Sequence, residues 1–385
     1  MNLYTEKLKN LMMSWRYDFH EHPEIGFNET QTAKKIASLL SDFGLEVHTG
    51  IGKTGVVGIL IRNTSMESIA IRADMDALPI QEKSTLAYRS KYKNTMHACG
   101  HDGHMAILLG AAKYLSEDIT FEGNVIFIFQ PNEENGLGAK AMIKDGLFDK
   151  FQITEIYALH NLPGLDIGKF ATREGTITAS ESLFEIDIIS ESCHSALPHM
   201  SIDPIVVASE IILAIQTILS RKIDPRKNAV ISITEIYTDG KRNILPSTVT
   251  IKGDTRALDS DIKNIIEKKL RELVKGICLA HGASSKIKYA TVFPITHNSK
   301  LPTNKITACV LDMYGSGNMD ANCEPMLFSE DFSFFAIKKP GCFLLMGNGS
   351  TGTCAEPLHS PIYDFNDQSL VLGSSMWVHL AKAIA

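Results

Sequence analysis

Residues 104–129 read HMAILLGAAKYLSEDITFEGNVIFIF, a helix pattern followed by a strand pattern. His104 to Leu115 is apolar on nearly every side, which predicts a buried helix. Asn124 to Phe129 is a short run of β-branched and aromatic residues, which predicts a buried strand. A buried helix joined to a buried strand is typical of an α/β layer with a mostly parallel sheet.

The same alternation extends in both directions from this stretch. Further predicted elements are helices at 30–43, 139–148, 306–314 and 368–383, and strands at 55–61, 68–73, 155–160 and 343–346. Gly44 follows the first of these helices as a stop signal. Strands that alternate with helices along most of the chain predict an α/β fold.

Between about Leu183 and Pro294 the pattern changes. Its predicted elements are strands at 184–189, 229–237, 248–257 and 286–292, and helices at 203–221 and 262–277. The order strand-helix-strand-strand-helix-strand is the split βαβ arrangement, a compact α+β domain. We therefore predict an outer domain of residues 1–182 and 294–385, and an inserted domain of residues 183–293.

Composition excludes several classes of protein. The chain has 385 residues, enough for two domains, and a formal net charge of -6 without a block of like charge that would favour nucleic acid or a membrane surface. The first residues lack the apolar stretch of a signal peptide, and we predict no run long enough to span a bilayer. The seven cysteines form no CxxC pair, which favours a reducing cytoplasm.

The densest group of reactive side chains is Met96-His97-Ala98-Cys99-Gly100-His101-Asp102-Gly103-His104. Nitrogen and sulfur donors at this density are the usual ligands of zinc-type ions. The glycines allow the tight backbone turn that brings neighbouring side chains together. A polar loop with one buried cysteine is the alternative, and the density of donors favours a metal site.

Other polar residues follow predicted strands of the same layer. Glu133 and Glu134 come just after the strand at 124–129, where one carboxylate can bind metal and the other can take a proton from water. His160 and the pair Asp74 and Asp76 also lie near strand ends. Taken alone, the glutamate pair also fits a charged surface turn, and His160 also fits a structural histidine. Their common position at strand ends gives them weight as a site.

These motifs carry a resemblance to a known family. The chain resembles the metallopeptidase M20 family, and within it the branch of hippurate hydrolases, N-acyl-L-amino acid amidohydrolases and auxin-conjugate hydrolases. The resemblance runs from residues 19–27 to 358–366 and includes the Met96 to His104 string, Gln130 to Glu134 and Ser329 to Phe332. It implies a zinc-peptidase-like catalytic domain with an inserted lid and dimerisation domain.

The resemblance also implies roles for individual residues. The implied ligands of a two-metal centre are Cys99, His101, Glu134, His160 and His359. Glu133 is the implied general base, and Asp76 the acidic residue that orients the site. Asp74 falls where more distant relatives place a ligand histidine, so its role stays open.

The inserted domain carries the remaining implied residues. His194 is the implied donor to the developing oxyanion, reaching across a dimer. The family usually has glycines just before this histidine, where this chain has Ser190-Glu191-Ser192-Cys193, so the backbone has less freedom there. Asn243 and Arg256 are the implied partners of the substrate carboxylate.

The expected activity is metal-dependent hydrolysis of the amide bond of N-acyl-L-amino acids, with hippurate-like, acetyl and longer acyl groups all open. The expected cofactors are two divalent metal ions. A thiolate ligand favours zinc, and the family also uses manganese, cobalt and nickel. The expected partners are a small-molecule substrate and a second copy of the chain, as a homodimer or homotetramer. Two alternatives remain: a deacetylase of an N-acetylated diamino acid in biosynthesis, and a metal-binding protein without turnover.

Overall fold

The computed structural model describes residues 5–63 and 68–384. The helices and strands in chain order are α1 (Glu6–Glu21), α2 (Thr30–Asp42), β1 (Glu46–Ile51), β2 (Gly55–Ile61), β3 (Ser68–Asp74), α3 (His101–Glu117), β4 (Asn124–Gln130), α4 (Gly138–Lys144), α5 (Leu147–Lys150), β5 (Ile153–Pro163), β6 (Phe170–Ala171), β7 (Gly175–Thr178), β8 (Ser180–Ile189), β9 (Cys193–His194), α6 (Pro204–Lys222), β10 (Ala229–Thr238), β11 (Ile244–Leu245), β12 (Thr248–Ala257), α7 (Ser260–His281), β13 (Ser284–Phe293), β14 (Thr296–Asn298), α8 (Lys300–Tyr314), β15 (Met319–Asp320), α9 (Phe332–Lys338), β16 (Gly341–Gly349) and α10 (Gln368–Ile384).

The chain divides into two compact units. The first contains residues 1–177, 296–324 and 330–385, and the second contains residues 178–295 and 325–329. The predicted boundaries were 182/183 and 293/294, and the prediction did not include the short segment 325–329 in the inserted domain. The outer ends of the predicted first domain, residues 1–4 and 385, lie outside the described residues.

The first unit is built on an eight-stranded sheet with the order β1-β2-β4-β3-β5-β16-β6-β15. The four central strands β4, β3, β5 and β16 are mutually parallel, whereas β1 and β2 are antiparallel additions at one edge. Every residue of β3, β4 and β16 is buried, as expected for parallel strands covered on both faces. The prediction of an α/β fold with a mostly parallel sheet is confirmed.

The second unit is a four-stranded antiparallel sheet with the order β10-β12-β8-β13. Its elements follow the predicted strand-helix-strand-strand-helix-strand order, with α6 and α7 sharing one apolar core with the sheet. Alternate residues of β12 are buried, which leaves its other face to polar side chains. The Asp203 side chain accepts a hydrogen bond from the Ile205 backbone amide and so caps α6 as predicted.

Three sequence predictions differ from the structure. Helix α3 begins at His101, three residues before the predicted start at His104. The predicted helix at 139–148 is two short helices, α4 and α5, because Gly146 adopts a left-handed φ of 86° between them. Among the described residues, α6 meets the length and hydropathy of a membrane span, so the prediction that no run is long enough is wrong. Its buried stripe packs in the core of the second unit.

Candidate metal centre

The segment before α3 turns sharply between two candidate ligands. Gly100 has a φ of 92°, a left-handed conformation that a glycine adopts without strain. Cys99 precedes this turn and His101 is the first helical residue after it, so both side chains leave the backbone at the same end of the helix. Both residues are buried, with exposed fractions of 7% for Cys99 and 0% for His101.

The ring orientation of His101 is fixed through its Nδ1 atom. This nitrogen lies 2.8 Å from the backbone carbonyl oxygen of Asp76, so it must donate. In the neutral ring the other nitrogen, Nε2, therefore presents its lone pair, and it has no hydrogen-bond partner among the described residues. A histidine held through one nitrogen by a carbonyl, with the other nitrogen free, is the usual arrangement of a metal ligand.

The carboxylate of Asp76 positions the glutamate pair. One of its oxygens accepts from the Glu133 backbone amide at 3.0 Å and the other from the Glu134 amide at 3.1 Å. Asp76 therefore contacts His101 through its backbone and the two glutamates through its side chain. This geometry fits the orienting role that the resemblance implies for Asp76.

His359 reaches the site from a different part of the chain. Its backbone amide donates to the Ala98 carbonyl at 2.8 Å, which brings it beside Cys99. Its Nε2 atom lies 3.4 Å from the Glu134 Oε1 atom. His359 also has a φ of 68°, a left-handed conformation that is uncommon for residues with a side chain.

His160, near the end of β5, completes the predicted set. Its Nδ1 atom donates to the Asn161 carbonyl at 2.8 Å, and its Nε2 atom lies 3.5 Å from the Cys99 sulfur. The structure therefore brings all five predicted ligands together. Cys99, Glu134 and His359 form one group whose ligand atoms lie within 4.8 Å of one another, and His101 lies within that distance of Glu134 in a second group.

Asp74 has both oxygens engaged by other side chains. Its Oδ2 atom accepts from the Arg72 Nη1 atom at 2.7 Å, and its Oδ1 atom lies 2.6 Å from the His104 Nδ1 atom. A third group of potential ligands contains Asp74, His101, His104 and His160. In this structure Asp74 is therefore the partner of Arg72 and His104.

The charges of the site fit a bound cation. Burial lowers the pKa of His101, but the carboxylates of Asp74, Asp76 and Glu134 outweigh it and raise that pKa to about 10. Burial and the carboxylates of Glu134 and Glu133 raise the pKa of the Cys99 thiol well above its usual range. A buried Glu134 oxygen also has no hydrogen-bond partner among the described residues. A divalent ion would supply the positive charge that this donor set needs, in place of protons.

Glu133 lies beside the candidate ligands in a buried acidic pocket. Burial and the carboxylates of Glu330, Glu134 and Asp331 raise its pKa well above the usual range, against the opposing effect of Arg72. Its Oε1 atom accepts from the Asp331 backbone amide at 3.2 Å. A raised pKa means that the carboxylate binds a proton more readily, which suits a group that takes a proton and returns it.

Sequence reasoning assigned no role to Arg72, Glu330 or Asp331, although the segments that contain them contributed to the resemblance. Arg72 forms ion pairs with both acidic residues at 2.8 and 3.1 Å. One signal was available in the sequence. An arginine inside the buried run Ser68-Ile69-Ala70-Ile71-Arg72-Ala73 needs carboxylates around it.

His194 and Asn243 are neighbours in the second unit. Strand β9, which contains His194, pairs with β11, and the Ser195 amide donates to the Asn243 carbonyl at 3.1 Å. The His194 Nδ1 atom accepts from the Ala196 amide at 3.0 Å, so a neutral ring carries its proton on Nε2. His194 is exposed, and this tautomer presents a donor to solvent.

The glycines of the family are not needed for the backbone before His194. Residues 190–193 are not among the described residues with positive φ, so side chains cause no strain there. The Ser190 hydroxyl donates to the Ile202 carbonyl at 2.7 Å and helps to hold the turn.

Arg256, the third predicted residue of the second unit, already has acidic partners. Its guanidinium lies 2.8 Å from an Asp254 oxygen and 3.0 Å from a Glu181 oxygen. A substrate carboxylate would compete with both of them. The proposed role of Arg256 in substrate binding therefore stays a prediction.

Cysteine, histidine and glutamate donors beside a second buried carboxylate, that of Glu133, are the parts of a metal-dependent hydrolase. Residues 70–383 match the peptidase family M20/M25/M40, and the chain belongs to this family.

Individual relatives align along nearly the whole chain. It is 41% identical to hippurate hydrolase of Campylobacter jejuni, with 99% of each chain covered. It is 34% identical to N-acetylcysteine deacetylase of Bacillus subtilis, with 97% of this chain and 96% of that protein covered. A solved structure of a Bacillus subtilis protein, described as a dinuclear metal binding peptidase from the M20 family, is 31% identical, with a TM-score of 0.86 and 99% of each chain covered.

Proposed function

We propose that the protein hydrolyses the amide bond of N-acyl-L-amino acids to a carboxylic acid and a free amino acid. The observation that carries this proposal is that five candidate ligands, Cys99, His101, Glu134, His160 and His359, lie close together, with the Glu133 carboxylate beside His101 and Glu134. The names of the hippurate hydrolase and N-acetylcysteine deacetylase relatives support the substrate class.

Cys99, His101, Glu134, His160 and His359 would hold two divalent ions, as the description of the Bacillus subtilis structure suggests. Such ions lower the pKa of water toward neutrality and polarise carbonyl groups. The thiolate donor favours zinc, and manganese, cobalt and nickel are the other candidates. The protein itself supplies the orientation of the ligands, through Asp76 and the backbone carbonyls that hold the histidine rings.

Glu133 moves the proton in this proposal. Its carboxylate takes a proton from the attacking water and passes it to the nitrogen of the leaving amino acid. The His194 Nε2–H group is the proposed donor to the oxyanion that develops on the acyl carbonyl. The absence of strain before His194 supports this role, because the serine and cysteine that replace family glycines leave its backbone conformation accessible.

The acyl group can be identified with a panel of N-benzoyl, N-acetyl and long-chain N-acyl amino acids, with an N-acetylated diamino acid as a further arm. The protein would be reconstituted separately with zinc, manganese, cobalt and nickel, and release of the free amino acid measured. We expect turnover of one acyl class, and the higher identity to hippurate hydrolase favours the benzoyl class. Turnover of the diamino acid alone would establish the biosynthetic alternative. No turnover across the panel, with metal bound, would contradict the proposed function.

We also propose that the protein works in the cytoplasm, where its seven free cysteines stay reduced.

We further propose that two copies of the chain associate through the second unit. Helix α6 exposes Ile205, Val206 and Leu213, with an exposed fraction of 72% for Leu213. Strand β10 is an edge strand and exposes Ile236 and Tyr237. An exposed apolar edge strand beside an apolar helix face is suited to pairing with a second copy.

Mixing two inactive variants tests whether His194 acts across this dimer. Glu133→Gln and His194→Ala subunits each lack one part, but a mixed dimer contains one site with both parts intact. After random exchange at equal amounts we expect about one quarter of native activity, because half of the dimers are mixed and each has one intact site. Unmixed variants are the controls. No recovery, with exchange demonstrated by differently tagged subunits, would contradict a shared site.

A further inference from the structure

The side chain of Arg72 is fully buried in β3 and uses its whole guanidinium. The Nε atom donates to Gln130 Oε1 at 2.7 Å, and Nη1 donates to Asp74 Oδ2 at 2.7 Å. Nη2 donates to Glu330 Oε1 at 2.8 Å and to Asp331 Oδ1 at 3.1 Å. A planar fork with this many fixed partners holds them in one arrangement.

On one side, Arg72 fixes the turn at Glu330 and Asp331. The Glu330 Oε1 atom also accepts from the Phe332 amide at 3.0 Å, and the Asp331 Oδ2 atom accepts from the Ala139 amide at 3.0 Å. The turn presents the Asp331 backbone amide to Glu133 Oε1 at 3.2 Å. The direction of the Glu133 carboxylate therefore depends on a turn that Arg72 holds.

On the other side, Arg72 fixes Asp74 beside a candidate metal ligand. The Asp74 Oδ2 atom, which accepts from Arg72, lies 3.6 Å from His101 Nε2. A single guanidinium thus connects the neighbour of His101 with the turn that orients Glu133.

We propose that Arg72 is a positioning residue that sets the direction of the Glu133 carboxylate relative to the metal ligands, acting through Asp74 and through the turn at Glu330 and Asp331. This inference rests on the proposed role of Glu133 as the general base. It assigns to Arg72 an effect on the rate of the chemical step, separate from metal binding and from substrate affinity. A lysine would keep the charge, but its single ammonium lacks the planar fork that reaches all of these acceptors.

The test compares Arg72→Lys, Glu330→Ala and Glu330→Gln, with kcat, KM, metal content and thermal unfolding measured for each. For Arg72→Lys and Glu330→Ala we expect kcat to fall by about 10²-fold, the scale of a group displaced by roughly 1 Å. We expect KM to stay within about threefold of native and both metal ions to stay bound, because neither residue is among the five proposed ligands. Glu330→Gln keeps an oxygen that can accept from Arg72 and Phe332, so it should restore kcat to within about tenfold of native.

Arg16→Lys is the matched control. Arg16 is equally buried and pairs with Asp102, Asp364 and Asp367, without a hydrogen bond to Glu133, Glu330 or Asp331 among the described residues. We expect it to lower thermal stability while kcat stays within about threefold of native. An equal loss of kcat in Arg16→Lys would overturn the proposal, because the effect would then follow from losing any buried arginine.

Other outcomes also overturn it. A normal kcat in Glu330→Ala would overturn the proposal. A low kcat in Glu330→Ala would also overturn it if Glu330→Gln had an equally low kcat, or if Glu330→Ala had lost metal. If Arg72→Lys does not fold, the two Glu330 variants decide alone. Failure of the base assignment is distinguishable, because Glu133→Gln would then stay active, whereas failure of this inference leaves Glu133→Gln inactive and Glu330→Ala normal.

Discussion

Glu133→Gln is expected to lower kcat for amide hydrolysis by about 10⁴-fold, the upper end of the range for a general acid–base group. The amide cannot take a proton from water or return it to the leaving nitrogen. Both metal ions should stay bound, because the ligand implied by the family resemblance is the neighbouring Glu134 and not Glu133. The protein should not be less stable, since burial and the carboxylates of Glu330, Glu134 and Asp331 disfavour a charged group at this position, and glutamine is neutral. Turnover and metal content of the same preparation check this prediction.

Glu134→Gln is the matched control for that variant. It makes the same replacement of a carboxylate oxygen by an NH2 group in the adjacent residue. Because it alters a candidate ligand, we expect loss of metal as well as loss of activity. A Glu133→Gln variant that keeps kcat within about tenfold of native would remove Glu133 as the base.

Cys99→Ser is expected to weaken metal binding by more than about 10²-fold, which is the largest effect usual for residues that only support a ligand. The Cys99 sulfur lies 3.5 Å from His160 Nε2 and belongs to the group with Glu134 and His359. A hydroxyl is a much poorer ligand for zinc-type ions than a thiolate. Metal content after equilibration with a competing chelator measures the change.

Cys309→Ser controls for the loss of a buried thiol. Cys309 is 4% exposed and lies in α8, outside every group of potential ligands found among the described residues. We expect it to bind metal as the native protein does. Native metal affinity in Cys99→Ser would show that Cys99 is not a ligand.

The elements with strong periodicity could be predicted from the sequence. Strand β12 has its predicted bounds, Thr248–Ala257, and α6 follows its predicted cap Asp203, because alternation and capping are local signals. The start of α3 was missed because His101, Asp102 and Gly103 do not continue the apolar pattern of the helix. The break between α4 and α5 was missed because a glycine within a helical pattern only sometimes stops a helix.

Only those site residues that belong to a recognisable sequence motif could be predicted. The predicted ligands all come from motif segments, and the structure brings them together. The contacts of Arg72 with Glu330 and Asp331 could not be predicted, because they join segments 258 and 259 positions apart. Local patterns carry no information about such a pairing. The left-handed conformation of His359 and the hydrogen bond of its amide to the Ala98 carbonyl could not be predicted either, because these residues lie far apart in the sequence.

The most direct test of the central claim is a titration of metal into chelator-treated protein, with hydrolysis of the best substrate from the panel followed at each step. We predict no turnover in the metal-free protein and activity that rises until two ions per chain are bound. Glu133→Gln should bind the same two ions but stay inactive. Full activity in protein shown by elemental analysis to be free of metal would contradict the account.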